Sequence, residues 1–323
     1  FLDKTTFFYN SKDLNSFKLR GAETVIINLA KSLIEFGHDV TIINNCPINE
    51  MISNINWINI NNLTEKLSFD LSISNNDCQL FENVNSKHKV LLSHSIQSLE
   101  KFIRKKQLIS YFKHKPKVAL LGKYHLKKRS LITRMFGYFL LPYGVDEIFI
   151  NTKLKEQNNI DKNIAIFTSR SDRNLDLLIN IWQNKIYPYF KNGKLLITPK
   201  KDYTNKGYNI FPRVTSDREL MINDLNSSRI FLIPGHNAEL FCLAAEEARE
   251  LCLPIVTLGI GSLSERVVHG ETGFIAKNNN EFAKYALDLF KDDKLWTYIR
   301  SNLINLRGKS TWTKCAQTLM KNI

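Results

Sequence analysis

No run of apolar residues approaches the roughly 18 to 20 that a membrane-spanning helix needs. The most apolar stretches, around Phe231 and Phe139, are short. The chain is therefore not expected to cross a membrane. Cysteine is scarce: Cys46, Cys78, Cys242, Cys252 and Cys315 are odd in number and far apart, with no Cys-x-x-Cys and no His at ligand spacing. That excludes a disulfide scaffold and a structural zinc site and points to a reducing cytosol. No Asp-x-Asp metal motif is present, and no Gly-x-Gly-x-x-Gly follows any predicted strand, which disfavours a dinucleotide-dependent oxidoreductase. Internal repeats and low-complexity tracts are also missing. Residue 1 is Phe and nothing before Asp3 resembles a signal peptide, so a short native start is expected to be absent.

What is present is ordinary globular composition: 323 residues, 43% hydrophobic and 24% charged, enough for two domains of about 150 residues each. Charge is the exception. With 45 basic and 31 acidic side chains the chain carries +14. Twelve of the basic residues (Lys101, Arg104, Lys105, Lys106, Lys113, Lys115, Lys117, Lys123, Lys127, Lys128, Arg129 and Arg134) fall in one segment without a single acid. The remainder is nearly neutral, so the basicity belongs to a face that seeks an anionic partner. Leu131, Ile132, Met135, Phe136 and Phe139 recur at helical spacing, with Lys127, Lys128, Arg129 and Arg134 outside the stripe, which predicts a basic amphipathic helix.

Short β-rich runs alternate with helical periodicity, the pattern of parallel sheets with crossover helices. Strands are predicted over 39–43, 70–74, 89–93, 118–121 and 138–141, and a helix over 22–36 that Gly37 stops. Pro142 and Gly144 mark a boundary near residue 148. Beyond it come strands over 164–168, 195–198, 230–233 and 255–258 and helices over 174–189, 217–226 and 240–251. Two doubly wound α/β domains are the economical architecture, with ligands at the carboxyl ends of their strands in the cleft between them.

The most informative stretch runs from Pro234 through Glu239 and Glu247 to Pro254. A strand ends, a polar loop follows, and a helix starts near Leu240 with free amides suited to phosphate. With Glu239 at the helix mouth and Glu247 two turns further in, eight steps of 100° bring them within about 80° of one direction, so both can reach one elongated ligand. Taken alone, the pair also reads as an N-terminal acid and a solvated Glu. The Glu-x7-Glu spacing, followed by Leu253-Pro254-Ile255-Val256, Ser264-Glu265 and His269-Gly270-Glu271-Thr272-Gly273-Phe274, resembles the glycosyltransferase family 4 type of the GT-B superfamily. Arg20-Gly21-Ala22-Glu23, Phe36-Gly37-His38-Asp39-Val40 and Leu141-Pro142-Tyr143-Gly144-Val145-Asp146 are similar to further family motifs, in order, along nearly the whole chain.

The resemblance implies a GT-B fold: two Rossmann-like, doubly wound parallel-sheet domains facing a central cleft, 1–148 on the acceptor side and 149–303 on the nucleotide-sugar side. A last helix within 304–323 would pack back on the first domain. It implies that Glu247 holds the donor's ribose, that Glu239 sits beside the donor sugar, and that the amides of Phe241 and Cys242 hold the diphosphate. Arg173 is the first candidate for neutralising the leaving diphosphate and Arg170 the second; Lys200 or Lys201 would supply a Lys that the pattern lacks. Gly21 would let backbone approach a phosphate. His94 matches a family His near the donor sugar, and a local hydrogen-bonding role stays open for it; His38 matches a structural position. Cys242 and Asn174 stand where the family usually has Gly, which raises a catalytically weak or inactive relative as one alternative.

The expected reaction is retaining transfer of a sugar from a nucleotide-diphosphate sugar to a hydroxyl acceptor, with no metal and no cofactor beyond the co-substrate. The setting implied is cell-surface glycan or glycolipid synthesis in the cytoplasm, at the inner face of the membrane, with Lys101 to Arg134 on an anionic surface or acidic acceptor. A two-carboxylate hydrolase is disfavoured because two acids on one helix cannot flank a scissile bond. A nucleic-acid-binding α/β protein is the other alternative, disfavoured because the basic segment contains no recognisable reading module.

Overall fold

The computed structural model describes residues 1–15, 19–200, 203, 207–214 and 218–323. Among them the chain divides into two compact units, Phe1–Gly144 with Thr311–Ile323, and Val145–Ser310.

In the first unit, β1 (Val40–Asn44), β2 (Glu50–Ile52) and β3 (Ile55–Asn59) form one sheet, and β4 (Leu67–Asn75), β5 (Val84–Leu92), β6 (Lys117–Leu120) and β7 (Tyr138–Leu140) another. The chain start joins them, because Leu2 bridges both Ile43 and Ser74. All pairings are parallel except β2 with β3. Helix Gly21–Glu35 buries Val25, Ile26, Ile27, Leu29, Ala30 and Leu33. Its start is closed by the Glu23 carboxylate accepting the Arg20 N–H at 3.1 Å, as a helix start needs. Gly37, at φ +83°, ends it.

The second unit is one six-stranded sheet of β8 (Asp161–Ile166), β9 (Lys194–Ile197), β10 (Ile210–Pro212), β11 (Ser228–Leu232), β12 (Ile255–Thr257) and β13 (Gly273–Ile275), in the order β10-β9-β8-β11-β12-β13. Among the described residues every pairing in it is parallel. Buried on both faces, its central strand β11 has no exposed residue, as a parallel sheet with helical cover requires. Trp182, Trp296, Phe167, Phe231 and Phe282 are fully enclosed in its core, each contributing about 1.5–3 kcal/mol.

Several expected elements differ from the observed ones. β2, β3, β10 and β13 were not predicted: three of them are only three residues long, and three of the five residues of β3 (Ile-Asn-Trp-Ile-Asn) are Asn or Trp, too little for a periodic signal. The helix expected over 174–189 is α-helical over Leu175–Ile181, turns to a π-helix over Trp182–Ile186 and ends as a 3-10 turn carrying Pro188, a residue that cannot donate the next helical bond. The start of the helix expected from Asp217 lies outside the described residues; Arg218–Ser227 is helical. The basic amphipathic helix does not form. The segment is a helix Lys123–Lys128, a 3-10 turn Leu131–Arg134 and then β7, broken at Gly137 with φ +90°. Its apolar stripe is consequently split: Ile132 and Phe139 are buried, whereas Leu131 and Met135 are exposed.

The sequence reading puts the unit boundary near 148 and the start of the last segment at 304; the contacts put them at 144 and 311. The reason is local. Val145 N–H donates to Ser310 O at 2.9 Å, Phe149 is enclosed in the core of the second unit, and Arg307 donates to Phe149 O at 3.0 Å. Helix Trp312–Met320 packs on helix Gly21–Glu35 within the first unit. Gly144 lets that segment close: a Cβ there would lie 2.3 Å from Trp312 N and 2.5 Å from Thr311 C. Gly144→Ala is therefore expected to cost about 1–3 kcal/mol or more through forced displacement of backbone, read as a lower denaturation midpoint; an unchanged midpoint refutes the close packing.

Candidate active site

The loop after β11 runs Pro234 to Cys242, and the following helix spans Leu243–Glu250. It begins three residues later than the sequence suggested. Glu239 is therefore a loop residue, and the helical angle argument relating it to Glu247 does not apply. Close backbone packing fixes the loop. Ser262 N–H donates to Glu239 O at 2.9 Å, and Gly261, at φ +75°, would place a Cβ 2.3 Å from His236 O and 2.9 Å from Glu239 O. Only a residue without a side chain permits that approach. Gly259-Ile260-Gly261 was legible as a glycine-rich run but was not singled out.

The loop after β8 carries Arg170, Asp172, Arg173 and Asn174. Asp172 accepts from Arg170 Nη2 at 2.7 Å and from Arg173 Nη1 at 2.8 Å. Arg173 also pairs with Glu239, Nε to Oε2 at 3.2 Å, with both side chains mostly enclosed. Asn174 donates its side-chain amide to Gly235 O. The structure thus brings Arg173 and Glu239 into contact, a pairing the sequence did not disclose.

Asn174 has φ +61° and Cys242 φ +63°. These are the two positions where glycine was noted as usual, and both lie in the left-handed region, where a side chain costs energy. The Cys242 N–H lies near enough to the Glu239 carboxylate to draw it down, so the amide expected at a diphosphate faces this acid. Cys242 itself is buried. Phe241 is buried too, with the Arg266 guanidinium over its ring at 4.3 Å from the centroid.

Burial pushes the Glu239 carboxyl above its ordinary range, and the Arg173 charge, followed by the Cys242 N–H, pulls it back. Burial likewise raises the Glu247 carboxyl, with Arg218 opposing and Asp146 reinforcing the rise. Arg218 and Asp146 pair at 2.8 Å, so Asp146 of the Tyr143-Gly144-Val145-Asp146 stretch, with Arg218, frames Glu247. Arg218 was not anticipated; its only sequence signal is a basic residue opening a helix. Lys200 pairs with Asp176, and Lys201 lies outside the described residues.

In the first unit, Gly21 opens its helix and is exposed. His94 follows β5, its N–H donating to Asn76 Oδ1 at 2.8 Å, and its ring lies 3.3 Å from the Tyr143 hydroxyl. His38 is exposed, with its N–H on Leu33 O at 3.2 Å. Among the described residues no group of three His, Cys, Asp or Glu side chains could hold a metal ion.

Comparison with known proteins adds a class. The family model described as "Glycosyl transferases group 1" matches residues 151–305. The fold is GT-B: the chain resembles WaaG, a glycosyltransferase involved in lipopolysaccharide biosynthesis (TM-score 0.69, 13% identity, 99% of this chain and 98% of that one). It also resembles sucrose-phosphate synthase from Thermosynechococcus elongatus (0.67, 15%, 94% and 92%) and Anabaena HepE in complex with UDP and glucose (0.64, 15%, 99% and 97%). No curated protein matches the chain in sequence. Fold and family match together support glycosyl transfer as its chemistry.

Burial, with the fields of His125 and Lys101, pushes the His94 imidazole down to about 3. In the unfolded chain it titrates near its ordinary 6.5, so between these values the unfolded state binds the extra proton. Stability from this group is complete above about 6.5 and is lost as pH falls toward 3. The His94 ring resonances are expected to stay those of a neutral imidazole from pH 7.5 to about 5; a titration midpoint near 6.5 would show the ring to be solvated.

Proposed function

We propose that the chain is a retaining, metal-independent glycosyltransferase that moves a sugar from a nucleotide-diphosphate sugar to a hydroxyl acceptor, in cell-surface glycan or glycolipid synthesis. The observation that carries this is the Arg173–Glu239 contact at the mouth of helix Leu243–Glu250, inside the matched segment. Departure of a nucleoside diphosphate leaves negative charge, and a guanidinium beside the open end of a helix stabilises it. Arg173 keeps Nη2 for a phosphate oxygen while Nε and Nη1 are tied to Glu239 and Asp172, so the charge is held in place before substrate arrives. Arg170, tethered to Asp172, is the reserve cation. Glu239, whose carboxyl the Arg173 charge pulls back against the effect of burial, orients the sugar hydroxyls. Glu247 accepts from the ribose, in the frame of Arg218 and Asp146. Gly21 and the amides of Phe241 and Cys242 approach phosphate oxygens, Cys242 after Glu239 turns from its N–H to the sugar. His94, neutral, offers a hydrogen bond to the donor sugar. HepE, bound to UDP and glucose, is the neighbour that supports a nucleotide-diphosphate donor.

Glu247→Ala is expected to weaken donor binding and Glu239→Ala to lower turnover, because a ribose contact acts in ground and transition states alike and a sugar contact need not. Arg173→Ala should slow single turnover by about 10² to 10³ and, by removing the charge that opposes burial, raise the Glu239 carboxyl further, moving the acid limb of the rate profile to higher pH. Unchanged affinity and rates in all three variants reject the site.

The acceptor side is placed at a membrane surface in the cytoplasm. No helix among the described residues is long and apolar enough to cross a membrane. Arg104, Lys105, Lys106, Lys113, Lys115, Lys127, Lys128 and Arg134 are exposed, and Ile103, Ile109, Leu131 and Met135 are exposed among them. Each such charge gains about 1 kcal/mol near an anionic leaflet. WaaG, involved in lipopolysaccharide biosynthesis, supports the glycolipid setting. Co-sedimentation with anionic vesicles at low salt, reversed at high salt, is expected; a protein left in the supernatant with anionic lipid refutes the membrane part alone.

A further inference from the structure

Behind His94 lies a cluster of cationic and neutral nitrogen groups that the proposed donor chemistry does not use. Asn76, at φ +57°, follows β4, and its Oδ1 accepts three donors from the segment after β5: His94 N–H at 2.8 Å, Ser95 Oγ at 3.2 Å and Gln97 Nε2 at 3.4 Å. Gln97 is 1% exposed and its Oε1 has no hydrogen-bond partner. Helix Leu99–Arg104 then turns the Lys101 ammonium back onto the Ser95 hydroxyl. Because that hydroxyl gives its proton to Asn76, it is free to accept from Lys101. His125, 1% exposed, accepts the Leu121 N–H at Nδ1 (3.2 Å), and its buried Nε2 has no hydrogen-bond partner.

The charge balance of this cluster is incomplete. Lys101 is half-buried, and among the described residues no carboxylate lies within ion-pair distance of it. Asp77 is the one acid whose field reaches the ammonium, and its Oδ1 is committed to the Gln79 N–H at 2.9 Å. Lys105 and Arg104 add like charge, and burial makes the charged form costlier still. His94 and His125 are held neutral at physiological pH by burial and by the Lys101 charge. A desolvated ammonium bonded to a hydroxyl leaves two N–H donors and one unit of charge uncompensated. Such an arrangement is stabilised by an incoming anion.

We propose that Lys101, held in place by the Ser95 hydroxyl, forms an anion-binding subsite that takes the phosphate or carboxylate of an acidic acceptor. This rests on the reading of the chain as a glycosyltransferase and deepens it: acceptor selectivity is charge selectivity, set by one inward-facing lysine. Lys101 is a specificity-determining residue here, separate from the exposed basic residues of the same segment. The two anion sources, donor diphosphate and acceptor, share this chemistry, and the test separates them.

Binding of inorganic phosphate is measured by calorimetry at constant ionic strength for the parent, Lys101→Met, Lys101→Arg and Ser95→Ala, alongside the nucleoside diphosphate that binds best in a panel of four. Lys101→Met is expected to weaken phosphate about tenfold or more, since a charged hydrogen bond is lost, and Lys101→Arg to restore most of it. Ser95→Ala, which removes one hydroxyl, gives a smaller loss in the same direction and serves if Lys101→Met does not fold. Nucleoside diphosphate affinity stays within about twofold throughout, which is within the coupling expected for separate sites. Phosphate affinity unchanged in Lys101→Met, or no phosphate binding to the parent, overturns the subsite. Parallel loss of nucleoside diphosphate affinity assigns the anion to the donor and overturns the acceptor role. Parent protein that binds phosphate through Lys101 but turns over no nucleotide sugar defeats the transferase reading and, with it, the acceptor role. Turnover with Lys101-independent phosphate binding defeats only the subsite.

Discussion

The candidate donor site depends on one constraint: two loops of the second unit, 61 residues apart where Asn174 meets Gly235, are tied side by side. The tie is made twice, by the Asn174 amide on the Gly235 carbonyl and by the Arg173 guanidinium on the Glu239 carboxylate. Both loops leave the carboxyl ends of neighbouring parallel strands, β8 and β11, which is where a doubly wound sheet gathers its ligand-binding loops. Without the tie, Arg173 would be a surface cation and Glu239 a buried acid driven to its neutral form. With it, the Arg173 charge opposes the rise that burial imposes on the Glu239 carboxyl.

That geometry is held at a cost. Asn174 and Cys242 both adopt left-handed backbone, a conformation that costs on the order of 1–3 kcal/mol for a residue with a side chain. Asn tolerates it well, and here its side chain makes the interloop bond, so the departure from glycine gains a contact. Cys242 brings no such bond; its thiol is buried, and burial holds it well above the ordinary thiol range, which leaves it inert as a nucleophile. The two substitutions are therefore unequal. One stiffens the site, and the other narrows the space beside the first turn of the helix.

The elements that sequence disclosed best are those whose residues are committed by periodicity: helix Gly21–Glu35 with its six buried aliphatic positions, and the continuous apolar strands of the second unit. What it disclosed poorly was anything decided by tertiary contact. Strand β13, three residues with glycine at its head, is defined by pairing with β12. The 127–139 stretch has a convincing helical stripe, yet Gly137 and the pairing of β7 with β6 take Phe139 into the sheet. Tertiary pairing overrides local period in such segments. At the site, Glu-x7-Glu and Arg173 stood out through the family resemblance of their motifs, but the helix start was misplaced by three residues, since Leu240, Phe241 and Cys242 look helical in composition. The Arg173–Glu239 and Asp146–Arg218 pairs join residues 66 and 72 positions apart, and no local pattern encodes them.

The basic segment shows most clearly what a charge count conceals. Twelve cations with no acid among them in sequence suggest one electrostatic surface, but Lys113 pairs with Glu82 and burial sets the half-buried Lys101 and Arg129 apart from the exposed rest. Arg104, Lys105, Lys106, Lys113 and their neighbours are solvated, where salt screens them and each contributes little beyond steering. Lys101, half-buried, turns back against Ser95, where water screens it less than it does the others. The exposed members favour any anionic surface, and weakly. The enclosed one favours a single anion of the right size, because desolvation makes both its unpaired cost and its pairing gain large. Selectivity in this segment therefore rests on the one basic residue that contributes least to its surface charge.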